Sequence, residues 1–238
     1  MSVAEPETIF EITPACLEAY PAVQIGLLIM RGVANPSENA ALEAQKTALE
    51  TQLRSLFSGL DRSHIAALAP IQAYGAYYKR FNKSYHVQLQ LESIALKGKP
   101  IPRVTALVEA MFMAEVKNLL LTAGHDLESL QLPLSLKVAE GTESYILLRG
   151  TEQTLKKGDL YIKDGLGIIS SILYGPDQRT QLRPGTQNAL FTIYAPAGII
   201  PETLVHHLID LHDYIKLITP EAQPEKLTIF DAGRPREK

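Results

Sequence analysis

Ala123-Gly124-His125-Asp126 is the point at which this chain changes its hydrophobic period. Before it, apolar residues recur at helical spacing. After it they come in short β-rich runs separated by Gly, Pro and Asp. Working upstream, Val104 to Thr122 is the longest apolar helix candidate and carries Glu109, Glu115 and Lys117. A turn at Lys97–Arg103 separates it from a helix over Ser84–Ala95. Leu42, Leu49, Leu53 and Leu56 predict a helix over Ala40–Phe57, with Ser37 as its cap and Gly59 as its stop. Another helix begins near Asp61-Arg62-Ser63 and ends before Pro70, and Val23–Val33 is a buried first strand.

Downstream, strands are expected at Leu134–Val138, Ser144–Leu148, Leu160–Lys163, Gly167–Leu173 and Ala189–Tyr194. Asp164-Gly165 marks a hairpin between two of them. A last helix starts at Pro201 and runs to Ile218, and the Arg234–Lys238 tail is expected to fray. The class is therefore α+β: a helical N-terminal half, a compact and mostly antiparallel β-sandwich-like region, and a closing C-terminal helix. The 238 residues form one domain on this reading.

Composition narrows the function. A net charge of -3 and a pI near 6.1 disfavour a general nucleic-acid coat protein, while leaving room for a local basic patch. One cysteine, Cys16, excludes an internal disulfide and disfavours a thiolate zinc site. The acidic opening Met1–Glu7 lacks the regions of a signal peptide, and no apolar run reaches the roughly 20 residues of a membrane span, so the cytoplasm is expected. The phosphate-loop, dinucleotide and nucleophile-elbow signatures are missing, which disfavours ATP-driven chemistry and a complete synthetase.

Four groups of residues are candidates for chemistry. His125-Asp126 offers an acid, a base or a hydrogen-bond donor, or else a structural turn. The loop Tyr174–Arg183 brings Asp177, Arg179, Thr180 and Arg183 together, as a binding loop or a solvated hairpin connection. His206, His207, Asp210, His212 and Asp213 are better read as a solvated helix face than as metal ligands, because no third ligand is identifiable. Lys79, Arg80, Lys83, Lys97, Lys99 and Arg103, interleaved with Tyr77, Tyr78, Phe81 and Tyr85, are the nucleic-acid candidates. Those aromatic rings either stack on bases or pack the core.

An ordered series of short motifs carries a resemblance. Gly150-Thr151-Glu152, Leu155, Ile162-Lys163-Asp164 and Thr186-Gln187-Asn188 follow a His125 that has Glu128 three residues on. Together they resemble the B-three/four domain, the tRNA-editing domain in the beta chain of phenylalanyl-tRNA synthetase, which also occurs as free-standing proteins. The likeness runs over residues 79–197, with 1–78 and 198–238 as flanking elements. It implies a tRNA-binding protein that hydrolyses a mischarged aminoacyl-tRNA in trans, without metal or cofactor.

On this resemblance His125 and Asp177 orient water or ester, and Asp126, Arg179, Thr180, Thr186 and Asn188 contact substrate. The Lys79–Arg103 cations contact the acceptor arm. The family's Gly-Gly-Glu turn reads Gly175-Pro176-Asp177 here, with a carboxylate one methylene shorter. Two other readings stay open: a non-catalytic module for an amino acid or modified nucleotide, and a small-molecule hydrolase that ignores RNA.

Overall fold

The computed structural model describes residues 9–232 and the backbone of 236 and 237. The acidic opening at 1–7 lies outside the described residues. Of the tail expected to fray, 236 and 237 form a short strand, while 234, 235 and 238 lie outside.

The chain begins with β1 (Phe10–Ile12), α1 (Pro14–Ala19) and β2 (Gln24–Arg31). Five helices follow: α2 (Ala40–Leu56), α3 (Arg62–Ala66), α4 (Ala69–Lys79), α5 (His86–Ala95) and α6 (Ala106–Asn118). Next come β3 (Leu121–Asp126), β4 (Leu134–Val138), β5 (Ser144–Ile146), β6 (Glu152–Thr154), β7 (Leu160–Lys163), β8 (Ile168–Ser171), β9 (Gly175–Pro176) and β10 (Asn188–Ala195). The chain ends with α7 (Pro201–Ile218), β11 (Gln223–Phe230) and β12 (Arg236–Glu237). The class is α+β, as the change of period predicts. Among the described residues no helix is long and apolar enough to cross a membrane.

Two five-stranded sheets carry the fold, in orders β12-β11-β2-β10-β3 and β1-β4-β7-β8-β9. The first is antiparallel throughout, and the second departs only where β1 runs parallel to β4. β2 lies inside its sheet, and Ile25 and Leu27 to Met30 are all buried. A strand covered on both faces shows a continuous apolar run instead of alternation, as Val23–Val33 does. α7 crosses β2 at Gly26, where an added Cβ would come within 2.9 Å of Leu204. Only a glycine lets the helix sit that close.

α4 joins the two sheets through its tyrosines. Tyr74, Tyr77 and Tyr78 are buried, together with Phe81 and Tyr85 beyond the helix end. The Tyr74 hydroxyl donates to Tyr194 O on β10 and accepts from Leu121 N on β3. The Tyr77 hydroxyl accepts from Leu160 N on β7 at 2.7 Å and donates to Asp159 at 2.8 Å, while Tyr78 donates to Ile172 O at 2.7 Å. Buried backbone groups at strand ends need partners, and these hydroxyls supply them on both sheets.

Several boundaries differ from the sequence expectation. The α2 cap is Asn39, whose side chain accepts from Leu42 N at 2.9 Å, and not Ser37. Helix α3 ends at Ala66, before Pro70 as expected, but Pro70 opens a further helix, α4, that the sequence reading does not place. Helix α6 ends at Asn118, with Leu119 in the left-handed region at φ 62°, so β3 begins inside the stretch expected to be helical. The run Leu119-Leu120-Leu121 is apolar at either period, and a buried strand and a buried helix cannot be separated on that pattern. The last helix does not close the chain: β11 follows it and pairs with β2. Its exposed Gln223-Pro224-Glu225 start hides the strand pattern.

Tyr77→Phe is expected to cost about 2–4 kcal/mol, because it leaves both Leu160 N and Asp159 without their buried partner. Tyr78→Phe, which frees a single carbonyl, is expected to cost about 1–2 kcal/mol. Urea denaturation of both variants beside the wild type measures the difference, and equal losses would count against a bridging role for Tyr77.

Candidate functional site

The loop between β9 and β10 folds back across β3, and its polar residues decide how it sits. Gly175, at φ 79°, turns the chain out of β8. Asp177 then caps the loop: its Oδ1 accepts from Thr180 N at 3.1 Å and from the Thr180 hydroxyl. Having donated its proton there, the Thr180 oxygen accepts from His125 Nδ1 at 2.7 Å. This chain of donors assigns the proton of the imidazole to Nδ1. Asp126 N donates to Thr180 O at 2.7 Å, so the loop is tied to β3 through backbone as well. An added Cβ on Gly124 would come within 2.7 Å of Leu182, so the glycine lets the loop lie on the strand.

A second link holds the loop to the β7–β8 hairpin. Arg179 makes a bidentate pair with Asp164 at 2.9 and 3.0 Å and donates to Ser129 O at 2.7 Å. Asp164 also accepts from the backbone N–H groups of Gln131, Leu166 and Gly167, each at 2.9 Å. Burial raises the Asp164 pKa, but Arg179 and these N–H groups outweigh it and leave the carboxyl below the ordinary aspartate value. Arg179 Nε also lies 3.7 Å from Asp177 Oδ2. For Asp177 the balance goes the other way: burial dominates, and the pKa is raised despite Thr180 and Arg179.

Two cavities flank this loop. A polar one of about 510 Å³ is lined by Tyr145, Asp177, Gln178, Arg179, Gln181 and Arg183, among others. A largely apolar one of about 380 Å³ lies between α6 and β3, walled by Val108, Met111, Phe112, Leu121 and Leu182, with His86, Thr105, Glu115, Thr122 and Gln181 as its polar members. Gln181 lines both.

The candidate residues separate on this geometry. Asp177 and Arg179 border the polar cavity, with Thr180 buried directly behind Asp177. His125 is fully buried and lines neither cavity. Among the described residues its Nε2 has no hydrogen-bond partner, and burial, followed by the nearby Arg179 charge, pushes its pKa down to about 3. Asp126, Thr186 and Asn188 line neither cavity either; they fasten the loop's ends. Thr186 donates to Asp126 at 2.7 Å, and Asn188 donates to Glu128 at 2.6 Å and accepts from Gly32 N at 3.2 Å.

Lys79, Arg80, Lys97, Lys99 and Arg103 are exposed, and Lys83 is half-buried. Arg103 is paired with Glu43 at 3.2 Å, Arg80 lies over the Tyr20 ring and Lys83 over the Tyr174 ring. The aromatic residues between these cations are core, so they offer no platform for base stacking. Among the described residues no group of three or more His, Cys, Asp or Glu is placed to hold a metal ion. Asp210 is engaged by Lys117 at 2.7 Å and Asn118 at 2.8 Å, and His207 is buried against Thr122.

The sequence reading does not single out Tyr145 or Gln181, and it places Asp164 in a hairpin turn, as found, without its pairing to Arg179. No spacing rule links Asp164 to an arginine in another loop. Glu109 and Glu115 both stand as carboxylates in a largely apolar helix, and that pattern does not say which of them faces a cavity.

No protein-family model and no curated protein matches the chain. Among solved structures, the fold is similar to the crystal structure of an N-terminal fragment of the phenylalanyl-tRNA synthetase beta subunit from Pyrococcus horikoshii, with a TM-score of 0.53 at 10% identity. The likeness covers 100% of this chain and 56% of that one. At this identity the two share a fold, in line with the synthetase-beta-like α+β class expected from the motifs.

The His125 ring is expected to stay neutral through pH 5, with NMR resonances that do not move between pH 8 and 5. Its folded pKa lies below the ordinary 6.5, so the unfolded chain gains a proton that the folded chain refuses. Stability therefore declines as pH falls below 6.5, with His207, held down to about 4 by burial, acting in the same sense. A His125 midpoint near 6.5 would place the ring in water and remove it from the Thr180 relay.

Proposed function

We propose that this chain binds tRNA and receives the aminoacylated 3′ end in the polar cavity beside Asp177. The observation that carries this reading is the fold likeness to a synthetase beta-subunit fragment over the whole of this chain. The cavity's chemistry supports it. Arg183 is exposed at its border and, among the described residues, has no ion-pair partner, so its guanidinium is available to a phosphate. The exposed Lys79, Arg80, Lys97, Lys99 and Arg103 add cations for the acceptor arm, with half-buried Lys83 beside them. Contacts of this kind suit a selective binder in a chain of net charge -3.

Hydrolysis of a mischarged ester in trans is the finer form of the proposal. Asp177 borders the cavity, and burial makes its carboxylate more basic than an exposed one. It takes the proton of a water whose oxygen attacks the ester carbonyl; the bond to the ribose oxygen then breaks, and Asp177 returns the proton to that leaving oxygen. Thr180 and His125 act behind it as positioning residues, holding Asp177 without touching substrate. A second reading, binding without turnover, is favoured by the engagement of Asp177 Oδ1 with both the backbone and the hydroxyl of Thr180. Both readings place the protein in the cytoplasm with tRNA as its partner.

Anisotropy titrations of tRNA between about 50 and 200 mM salt are expected to show a steep loss of affinity. Arg183→Ala should lower the log–log slope by about one phosphate contact. In parallel, a deacylation time course runs over a panel of correctly and wrongly charged tRNAs. Selective release that Asp177→Asn slows about a hundredfold supports editing. Saturable binding with no release leaves a binding module, and no tRNA binding at low salt rejects the whole reading.

A further inference from the structure

Four glutamates are buried among the described residues: Glu50, Glu92, Glu109 and Glu115. Three of them have a cation supplied by the chain. Glu50 pairs with Arg54 at 3.0 Å, Glu92 with Arg62 at 2.9 Å and Glu109 with Lys46 at 2.5 Å. Glu115 takes part in no ion pair among the described residues. Its Oε1 accepts from Thr122 N at 2.8 Å, and the side chain lines the apolar cavity of about 380 Å³ between α6 and β3. Asp159 also lacks a cation, but it accepts from the Tyr77 hydroxyl and lines neither this cavity nor the polar one.

A buried carboxylate is costly unless a cation pairs with it, and the chain meets that requirement at the three other glutamates. At Glu115 the space a cation would occupy is a cavity of small-molecule size. We propose that this cavity binds a small molecule with an apolar body and one primary ammonium, the ammonium on Glu115 and the body against Val108, Met111, Phe112 and Leu182. The apolar walls keep the local dielectric low, which strengthens a charged pair far more than a neutral hydrogen bond.

Neighbouring Lys117 is held by Asp210, and among the described residues no lysine or arginine pairs with the Glu115 carboxyl. Tyr74, Tyr78 and Tyr85 lie near it with pKa values raised by burial, so they are neutral at pH 7. His86 also lines the cavity; it is exposed at the surface, and partial desolvation lowers its pKa from the ordinary value. His207, behind Thr122, is held down to about 4. With no cation beside it, burial pushes the Glu115 carboxyl up to about 8, so most of it is protonated at pH 7. Pairing with an ammonium ionises it and releases that proton to solvent.

The proposal concerns a different cavity from the tRNA reading, and its test contains no RNA. Calorimetry of the full chain compares 2-phenylethylamine with 2-phenylethanol, which has the same shape but no charge. The amine is expected to bind about tenfold more tightly or better, with a heat that depends on the buffer's ionisation enthalpy because a proton is released. Glu115→Gln keeps an acceptor for Thr122 N, and it should erase both the preference and the proton release. Val108→Phe fills the cavity while leaving Glu115 in place, and it should abolish binding of both compounds.

L-leucinamide and N-acetyl-L-leucinamide then identify the source of the amine. Tighter binding of leucinamide than of phenylethylamine, lost on acetylation, points to the α-amino group of an aminoacyl ester. The reverse order points to a free amine. Equal affinity for amine and alcohol, a preference that survives Glu115→Gln, or no amine binding up to about 10 mM overturns the proposal.

Discussion

The contact on which the rest of this structure depends is the set of tyrosine hydroxyls on α4. Tyr74 reaches β10 and β3 of one sheet, while Tyr77 and Tyr78 reach the β7–β8 part of the other. Each hydroxyl meets a backbone group that would otherwise be buried without a partner. The helix therefore sets the relation between the sheets by hydrogen bonds, which are directional, as well as by apolar packing, which is not. Tyr85 adds to this by stacking on Tyr74 at 4.2 Å between ring centroids. The same residues that make the region aromatic are thereby withdrawn from solvent and from any ligand.

With the sheets set, the polar loop from Asp177 to Asn188 has a rigid floor. Its position is decided by two buried aspartates serving different ends. Asp164 gathers three backbone N–H groups and one guanidinium, which hold the hairpin and the loop as one unit. Asp177 gathers Thr180, and through it His125, while still bordering the polar cavity. Such a scaffold can hold a reacting group within fractions of an ångström, which is the requirement for positioning water on an ester. The chain's buried glutamates show the complementary rule. On α2, α5 and at Glu109 of α6, each buried glutamate has its own lysine or arginine, while Glu115 lines a largely apolar cavity.

Legibility followed the range of the interactions involved. Helix α7 and strands β4 and β7 were readable to the residue, because local periodicity and a bounding Pro or Gly determine them. The α6–β3 junction was misplaced because Leu119 to Leu121 are apolar at both periods, and β11 was missed behind its polar start. In the site, Asp177 and Arg179 were legible as a loop held by strands, and both border a cavity. His125 stood out by its place at the change of period, and its burial behind Thr180 was not visible there. Whether a histidine faces a cavity or the back of a threonine depends on residue 180, which lies in another element.

The sequence by itself determined the α+β class, the order of most elements, and the loops in which polar residues cluster. These rest on properties of residues close together in the chain: period, turn chemistry and the lack of cysteine pairs. Only the tertiary structure decided that the tyrosines of 74–85 are core, that Asp164 answers Arg179, and that Glu115 meets a cavity. Each of those outcomes depends on residues that only the fold brings together, 15 residues apart for Asp164 and Arg179 and 83 for Tyr77 and Leu160. Desolvation is what decides such a pairing: burial makes an unpaired hydroxyl, carboxylate or backbone N–H costly, and the partner that removes the cost is found in space and not in sequence.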